Sequence, residues 1–327
     1  MTLPVGAYKL EGISPRAYQH PADRAATAAL GQVPYLDQVV RKLIELGYER
    51  ALRAASLGAS VRLGQEQLPH IWVLHRQVVN SLDLADVPDL YLTQFPMANA
   101  MTIGVGKPIV VLNSELVTLL DADGQRVVLA HEAAHIHSSH VLYQTALLIL
   151  LRIGTQTLPL FAGLPLLAIR YALLEWFRAA ELSCDRAAAL LTRDPTAVCR
   201  SLMVLSAGAA AEHLNLDAFL KQGMDYQEGK GVERLSRLWQ DLQLTHPMPV
   251  KRTHELLSWV REGEYDRIVG GEYMRVGEEP PLKEEGDNAA SYYGDRVKGA
   301  FTKAGTSVQE VGDQLKSWLD KRKGDSS

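Results

Sequence analysis

The chain has 327 residues, 47% of them hydrophobic, and a formal net charge of −4. The length allows one large domain or two modest ones, and the near-neutral charge argues against nucleic-acid binding, which needs a basic patch or stripe. The two cysteines, Cys184 and Cys199, form no CxxC pair, so they indicate neither a disulfide framework nor a cysteine-rich metal site. Residues 1–19 lack the basic start and apolar core of a secretory signal, so we expect the protein on the cytoplasmic side.

The amino-terminal part of the chain predicts helices. Residues 14–60 place apolar side chains at spacings of three and four, and Pro21 is typical of a helix start. A second amphipathic helix is expected over residues 68–81. We therefore predict a helical region over residues 1–60 and a separate main domain over residues 61–262.

Short extended segments follow in the middle of the chain. Residues 88–94 and 108–112 are rich in strand-forming side chains, and residues 96–104 between them are expected to be extended as well. Residues 121–124, Asp-Ala-Asp-Gly, are typical of a turn, and a helix is expected from Gln125 onward. Helices before and after a few short strands predict an α+β, predominantly helical fold with a small sheet beside that helix.

Residues 141–177 are unusually apolar, with only Arg152, Arg170 and Glu175 charged. A single membrane-spanning helix needs about 20 apolar residues, and prolines interrupt this segment, so we expect a helical hairpin. The hairpin could enter a membrane, or it could be buried or bind a partner. The sequence leaves these alternatives open, including association with the cell membrane.

The last part of the chain, residues 263–327, is predicted to be a polar linker followed by an amphipathic tail. Residues 276–290 are rich in Gly, Glu and Asp, whereas residues 292–323 space apolar side chains as a helix does. We expect this tail to dock or to remain solvated, and we assign it no chemistry.

The sequence His131-Glu132-Ala-Ala-His135 is an HExxH pattern. Side chains four residues apart share one face of a helix, so the two imidazoles can converge on one Zn²⁺ with bonds of about 2.0–2.1 Å. Glu132, beside the first ligand, is then placed to take a proton from a water molecule as general base. HExxH also occurs by chance, but the apolar run at residues 127–130 predicts that this helix is buried.

A catalytic zinc site needs a third protein ligand, and a later helix offers one. Glu181 and Asp185 are four residues apart and share a helical face. We predict that Glu181 binds the metal and that Asp185 accepts the N–H of a ligating imidazole, which fixes the tautomer of that ring. The alternative, an acidic pair on a solvated face, is disfavoured because neighbours such as Leu182 and Leu190 make the helix largely apolar.

The sequence HEAAH, followed by ExxxD on a later helix with a hydrophobic hairpin between them, resembles the M48 family of gluzincin metallopeptidases over residues 88–260. The resemblance implies a zincin-like fold and a metalloendopeptidase with one zinc ion that cleaves internal bonds of polypeptides. It also suggests a role in membrane-associated protein quality control. Asn99 and Ala100 match a family motif on an edge strand that pairs with extended substrate. Ala134 stands where the family commonly has Gly.

A further match is Thr-His-Pro-Met-Pro-Val-Lys-Arg at residues 245–252, which implies that His246 and Arg252 lie near the metal. Arg252 would stabilise the oxyanion or anchor a carboxylate, and His246 would do the same or bind zinc in a resting state. His140 matches a histidine often found after HExxH. It lies about 140° around the helix from His135, so we expect it to be structural rather than a ligand of the same ion.

Two rival functions remain. The first is a catalytically silent, metal-stabilised chaperone or binding protein at the membrane, which would act through the hairpin and the tail. The second is a chance HExxH in a helical scaffold. Measurements of bound zinc and of activity distinguish these two rivals from a peptidase. In a peptidase, a Glu132 variant should keep the metal and lose activity, whereas variants of His131, His135 or Glu181 should lose the metal.

Overall fold

The computed structural model describes residues 8–31, 33, 35–152, 166–228 and 248–279. In these residues helices predominate around a small four-stranded sheet, so the predicted α+β, predominantly helical fold is confirmed. The predicted hairpin loop, His246 and most of the carboxy-terminal tail lie outside the described residues.

Most predicted elements appear close to their predicted positions, and the short strand β1 is an unpredicted addition. The strands are β1 (Ser60–Arg62), β2 (Asp89–Thr93), β3 (Ala100–Ile103) and β4 (Ile109–Asn113). The helices are α1 (Pro21–Leu30), α2 (Leu36–Glu45), α3 (Tyr48–Gly58), α4 (Pro69–Ser81), α5 (Ser114–Leu119), α6 (Ala122–His137), α7 (Val141–Arg152), α8 (Leu166–Thr192), α9 (Pro195–Ala207), α10 (Leu216–Glu228), α11 (Pro249–Arg261) and α12 (Glu264–Val269).

The sheet has the strand order β1-β2-β4-β3. Strands β2 and β4 run parallel and the other neighbouring pairs are antiparallel, so β3 is an edge strand although it lies between β2 and β4 in the chain. Asn113 donates its backbone N–H to the carbonyl of Asn99 at 2.9 Å, which sets the register at this edge. Because such pairs alternate along an antiparallel ladder, the main-chain groups of Ala100 and Thr102 point away from β4.

Two hydrophobic cores cover the two faces of the sheet. Leu112 points into the first core with α4, α6, α9 and the second half of α8, whereas Val111 points into the second core with α1, α2 and α7. The side chains of α8 lie in the second core as far as Ala180 and in the first core from Cys184 onward. Glu181 therefore lies where the two cores meet.

Helix α6 begins earlier than predicted. The side chain of Asp121 accepts a hydrogen bond from the N–H of Gly124 at 2.8 Å, so the predicted turn at residues 121–124 is instead the capped first turn of the helix. The helix ends at His137, and Ser139 just after it has a positive φ of 58°. The residues after Ser139 therefore do not continue helix α6.

Helices α7 and α8 pack against each other on either side of residues 153–165, which the structure does not describe. Much of α7 is buried in the second core, including Ala146, Leu147 and Leu150. A helix with the length and hydropathy of a membrane span is absent from the described residues.

Candidate metal centre

Helix α6 holds the two histidines of the motif on one buried face. The ring centroids of His131 and His135 are 5.0 Å apart. His131 is 9% exposed and His135 is 1% exposed. The small side chains of Ala133 and Ala134, which are buried in the first core, allow neighbouring helices to approach α6 closely.

Helix α8 adds the carboxylate of Glu181. Its Oε1 atom lies 3.4 Å from Nε2 of His131 and 3.2 Å from Nε2 of His135. Ligand atoms at about 2.0–2.1 Å from a tetrahedral metal lie about 3.3 Å from one another, so these separations fit a single ion. Two imidazoles and one carboxylate also form a donor set that catalytic zinc sites use.

The thiol of Cys184 is another candidate ligand. Its sulfur and one nitrogen of each motif histidine lie within 4.8 Å of one another. However, the sulfur lies 3.8 Å from Nδ1 of His140, a residue that contacts His135 at Nδ1 rather than at Nε2. Burial and nearby carboxylates raise the pKa of Cys184 well above its ordinary value, which favours the neutral thiol. The geometry therefore favours Glu181, whose oxygen is close to both Nε2 atoms, as the candidate third ligand.

Arg252 of α11 holds the two carboxylates of α8. Its Nε and Nη2 atoms donate to Oδ2 and Oδ1 of Asp185 at 2.7 and 2.6 Å, and its Nη1 lies 3.0 Å from Oε2 of Glu181. Oδ1 of Asp185 also lies 3.2 Å from Nδ1 of His131. Because an ionised carboxylate only accepts hydrogen bonds, His131 carries a proton on Nδ1, and Nε2, which faces Glu181, is the nitrogen that could bind a metal.

The second histidine has different partners. Nδ1 of His135 lies 3.2 Å from Nδ1 of His140, and Nε2 of His140 lies 3.1 Å from Oδ2 of Asp23 on α1. The ring of Phe177 stacks on the ring of His135, with centroids 5.8 Å apart. His140 thus contacts His135 at Nδ1, whereas Glu181 contacts the same ring at Nε2.

The edge strand β3 holds the side chain of Glu132. The hydroxyl of Thr102 donates to Oε2 of Glu132 at 2.7 Å. Both side chains are buried, so bulk water does not compete freely for this hydrogen bond. The strand that presents main-chain groups away from β4 therefore also orients the carboxylate next to His131.

The pKa values of the two motif histidines shift in opposite directions. Burial lowers the pKa of His135 to about 4 and outweighs the effect of Glu181. Burial also opposes protonation of His131, but Glu181 and Asp185 overcome it and raise the pKa of His131 to about 10. At neutral pH the site therefore holds a proton between His131 and the carboxylates, and a bound cation would replace it.

A cavity of about 290 Å³ lies over these groups. Its polar lining includes His131, Glu132 and Glu181, and Asn99 and Ala100 border it from the edge-strand side. The apolar part of the wall comes from α5, α6 and α9: Leu116, Val127, Val128, Val198, Leu202 and Leu205. The cavity thus places a charged group of atoms beside an apolar wall.

The predicted site residues differ in where the structure places them. Asn99 borders the cavity, but its carbonyl is engaged with β4. Arg252 contacts the carboxylates of Asp185 and Glu181, and its role at an oxyanion stays a prediction. His246 lies outside the described residues, so its role stays a prediction.

Sequence reasoning missed Thr102, Asp23 and Phe177. Thr102 lies two residues after Ala100 in a strand, so the period of two could have placed both side chains on one face. Asp23 and Phe177 carry no comparable signal, because they reach the site only through the packing of α1 and α8.

Comparison with known proteins identifies the family of this chain. The family model described as peptidase family M48 matches residues 70–260. A relative from Arabidopsis thaliana, the plastoglobule-localized metallopeptidase 48, chloroplastic, is 34% identical over 260 residues, which cover 77% of this chain and 74% of the relative. No solved structure matches the chain significantly. The chain therefore belongs to peptidase family M48, a family of metallopeptidases.

Proposed function

We propose that this protein is a zinc-dependent endopeptidase in which His131, His135 and Glu181 bind one Zn²⁺ and Glu132 is the general base. The observation that carries the proposal is the position of the Glu181 oxygen, 3.4 and 3.2 Å from the Nε2 atoms of the two histidines. When bound, zinc supplies a Lewis acid that polarises the scissile carbonyl and makes water more acidic.

Glu132 performs the proton transfers in this proposal. The hydrogen bond from Thr102 to Oε2 holds the carboxylate at the edge of the cavity. From there Glu132 takes a proton from the attacking water and later delivers it to the leaving amine. Positioned proton transfer of this kind contributes about 10²–10⁴-fold to a rate.

The proposed substrate is an extended polypeptide that pairs with strand β3. The main-chain groups of Ala100 point away from β4 and Ala100 borders the cavity, so a peptide backbone can bind there whatever its side chains are. Thr102, two residues further along the strand, is buried. Because Thr102 also contacts Glu132, the bound peptide would run past the base with residues on both sides of the cut bond. This arrangement favours internal cleavage of unfolded chains, which suits protein quality control.

Arg252 and Asp185 are proposed to keep the ligands in place. Three nitrogens of Arg252 contact the carboxylates of Asp185 and Glu181. The guanidinium thus offsets two negative charges in a buried site and fixes which oxygen of Glu181 faces the histidines. A role for His246 as an oxyanion partner rests on the sequence alone.

The test compares the parent protein with Glu132→Gln. The variant should keep stoichiometric zinc and lose about 10²–10⁴-fold of its cleavage of casein and of a fluorogenic peptide blocked at both ends. The blocked peptide distinguishes an endopeptidase from an exopeptidase. Glu175→Gln, on α8 but paired with Arg178, is the control. Unchanged cleavage by Glu132→Gln would remove the mechanism, and a zinc-loaded parent without activity would favour the chaperone alternative.

Contact with a membrane through residues 141–177 is a separate proposal. It is supported by the name of the relative, which is described as plastoglobule-localized, and by the exposed side chain of Tyr171 on the first turns of α8. The protein should sediment with phospholipid vesicles. Recovery entirely in the supernatant would contradict the proposal. The cytoplasmic location rests on the sequence alone.

A further inference from the structure

Helix α1 lies outside the segment that the family model matches, yet one of its side chains reaches the metal centre. Asp23 is fully buried, and its Oδ2 accepts from Nε2 of His140 at 3.1 Å and from the hydroxyl of Ser183 at 2.6 Å. The hydroxyl of Thr27 donates to Oδ1 at 3.3 Å. Burial alone would raise the pKa of Asp23, but these partners outweigh it and hold the pKa below its ordinary value, so the carboxylate is ionised.

The hydrogen-bond chemistry of Asp23 determines where the neighbouring rings carry their protons. A carboxylate accepts and does not donate, so His140 carries a proton on Nε2. In the neutral form of this ring the lone pair is on Nδ1, and the thiol of Cys184 lies 3.8 Å from that nitrogen. Nδ1 of His135 lies 3.2 Å from Nδ1 of His140, so it must carry a proton to donate a hydrogen bond to that lone pair. Nε2 of His135 is left unprotonated, which is the form that binds a metal.

We propose that Asp23 is a positioning residue of the metal centre, which acts through His140 to hold His135 in its metal-binding tautomer. The inference rests on the proposed metal site of His131, His135 and Glu181. It extends that site to α1, which precedes the segment that the family model matches.

The competing tautomer explains why the carboxylate is needed. Without Asp23, His140 can carry its proton on Nδ1 and donate it to Nδ1 of His135. The proton of His135 then lies on Nε2, 3.2 Å from Oε1 of Glu181, where it forms a hydrogen bond in place of the metal. With Asp23 present, Nε2 and Oε1 are both acceptors, and a cation between them is favoured.

Water is a poor substitute for Asp23 in this position. Asp23 is 0% exposed and His140 is 2% exposed, and the ring of Trp176 packs against His140 with centroids 5.5 Å apart. A buried ring nitrogen that loses its partner here keeps the cost of desolvation. The tautomer of His140 therefore depends on the carboxylate supplied by α1.

The test measures the zinc dissociation constant of the full-length protein by competition with a chromogenic chelator. Asp23→Leu removes both acceptor oxygens and should weaken zinc binding by about 10–100-fold, the usual effect of removing a partner of a ligating histidine. Asp23→Asn keeps one oxygen acceptor and should weaken it less. Leu30→Ala makes a cavity at the buried end of the same helix, so it should lower the unfolding temperature without changing the dissociation constant.

A double-mutant cycle with His140→Phe tests the path of the effect. In that background Asp23→Leu should cause no further loss of zinc affinity, because the ring on which Asp23 acts is gone. The double variant replaces both buried polar partners by apolar ones, which favours its folding. Histidine ¹⁵N chemical shifts of the metal-free protein give a second readout, since His140 should be protonated on Nε2 in the parent and shift toward Nδ1 in Asp23→Leu.

Three results would overturn the proposal in a parent that binds zinc. They are unchanged zinc affinity in Asp23→Leu, an equal loss in Leu30→Ala, and a full further loss on adding Asp23→Leu to His140→Phe. A parent that binds no zinc would instead overturn the proposed metal site and this inference with it.

Discussion

His131 and His135 lie one turn apart on the same helix, but they are held by partners of opposite kinds. His131 is held by the charged side chain of Asp185, which is in turn paired with Arg252. His135 is held by the ring of His140, and the charged side chain of Asp23 contacts His140 rather than His135 itself. The first set of partners borders the cavity, whereas the second is enclosed in the protein.

The difference implies that the proposed ligands depend on different parts of the chain for their orientation. The partners of His131 lie within residues 70–260, which the family model matches, but the carboxylate behind His135 belongs to α1. A chain that began at residue 70 would keep all three proposed ligands and lose Asp23. The proposed role of Asp23 therefore gives the amino-terminal helices a part in the metal site as well as in the second core.

Glu181→Gln should have the largest effect, because this carboxylate is shared by both histidines. We expect zinc affinity to fall by more than the roughly 10–100-fold associated with losing a partner of a ligand. Chelator competition measures the loss, with Glu175→Gln on the same helix as control. Parental zinc affinity in Glu181→Gln would show that the carboxylate is not a ligand and would favour Cys184 in its place.

Arg252→Met should disrupt the charged contacts that hold His131 and leave the contact between His135 and His140 intact. Asp185 and Glu181 would lose their buried cation, and removing one partner of a buried ion pair costs about 3–5 kcal/mol in free energy of unfolding. Added zinc should recover part of this loss, because it supplies positive charge to Glu181. Thermal unfolding with and without zinc measures both effects.

The matched control for this variant is Arg261→Met, an exposed position on the same helix. A surface substitution of this kind usually changes stability by less than about 0.5 kcal/mol. If Arg252→Met unfolded at the temperature of the control, the charged contacts around Asp185 would not stabilise the protein as described.

Thr102→Val should have the smallest effect on the metal, because it leaves the partners of both histidines in place and acts on Glu132. The variant keeps the shape of the side chain and loses the hydroxyl. A hydrogen bond to a charged group contributes about 1.5–3 kcal/mol, so kcat should fall by about 10–100-fold while KM and zinc affinity stay close to parental values. Thr102→Ser should restore most of kcat. Equal losses in the two variants would point to packing instead of the hydrogen bond.

Much of the site could be predicted because it depends on local geometry. The helical period places His131 and His135 on one face, and it places Glu181 and Asp185 on one face of a later helix. A buried pair of carboxylates needs a partner, so the sequence predicted that Glu181 and Asp185 meet the two histidines of α6. Strands β2, β3 and β4 were predicted as well, and the family resemblance implied an edge strand at Asn99 and Ala100. Strand β1 and the parallel pairing of β2 with β4 were not predicted, because strand pairing is set by tertiary packing.

The support of His135 could not be predicted for two physical reasons. Placing His140 by its angle around the helix assumed that α6 continues, but the helix ends at His137 and the positive φ of Ser139 redirects the chain. The pattern around Asp23 indicates a helix and says nothing of which buried ring its carboxylate meets. Asp121 was likewise assigned to a turn, although its side chain caps the helix.

The most direct test of the metal centre is anomalous diffraction at the zinc absorption edge from crystals of the zinc-loaded protein. We expect one peak in the site, about 2.0–2.2 Å from Nε2 of His131, Nε2 of His135 and an oxygen of Glu181. A peak bonded to the sulfur of Cys184, without Glu181 among its ligands, would contradict this account.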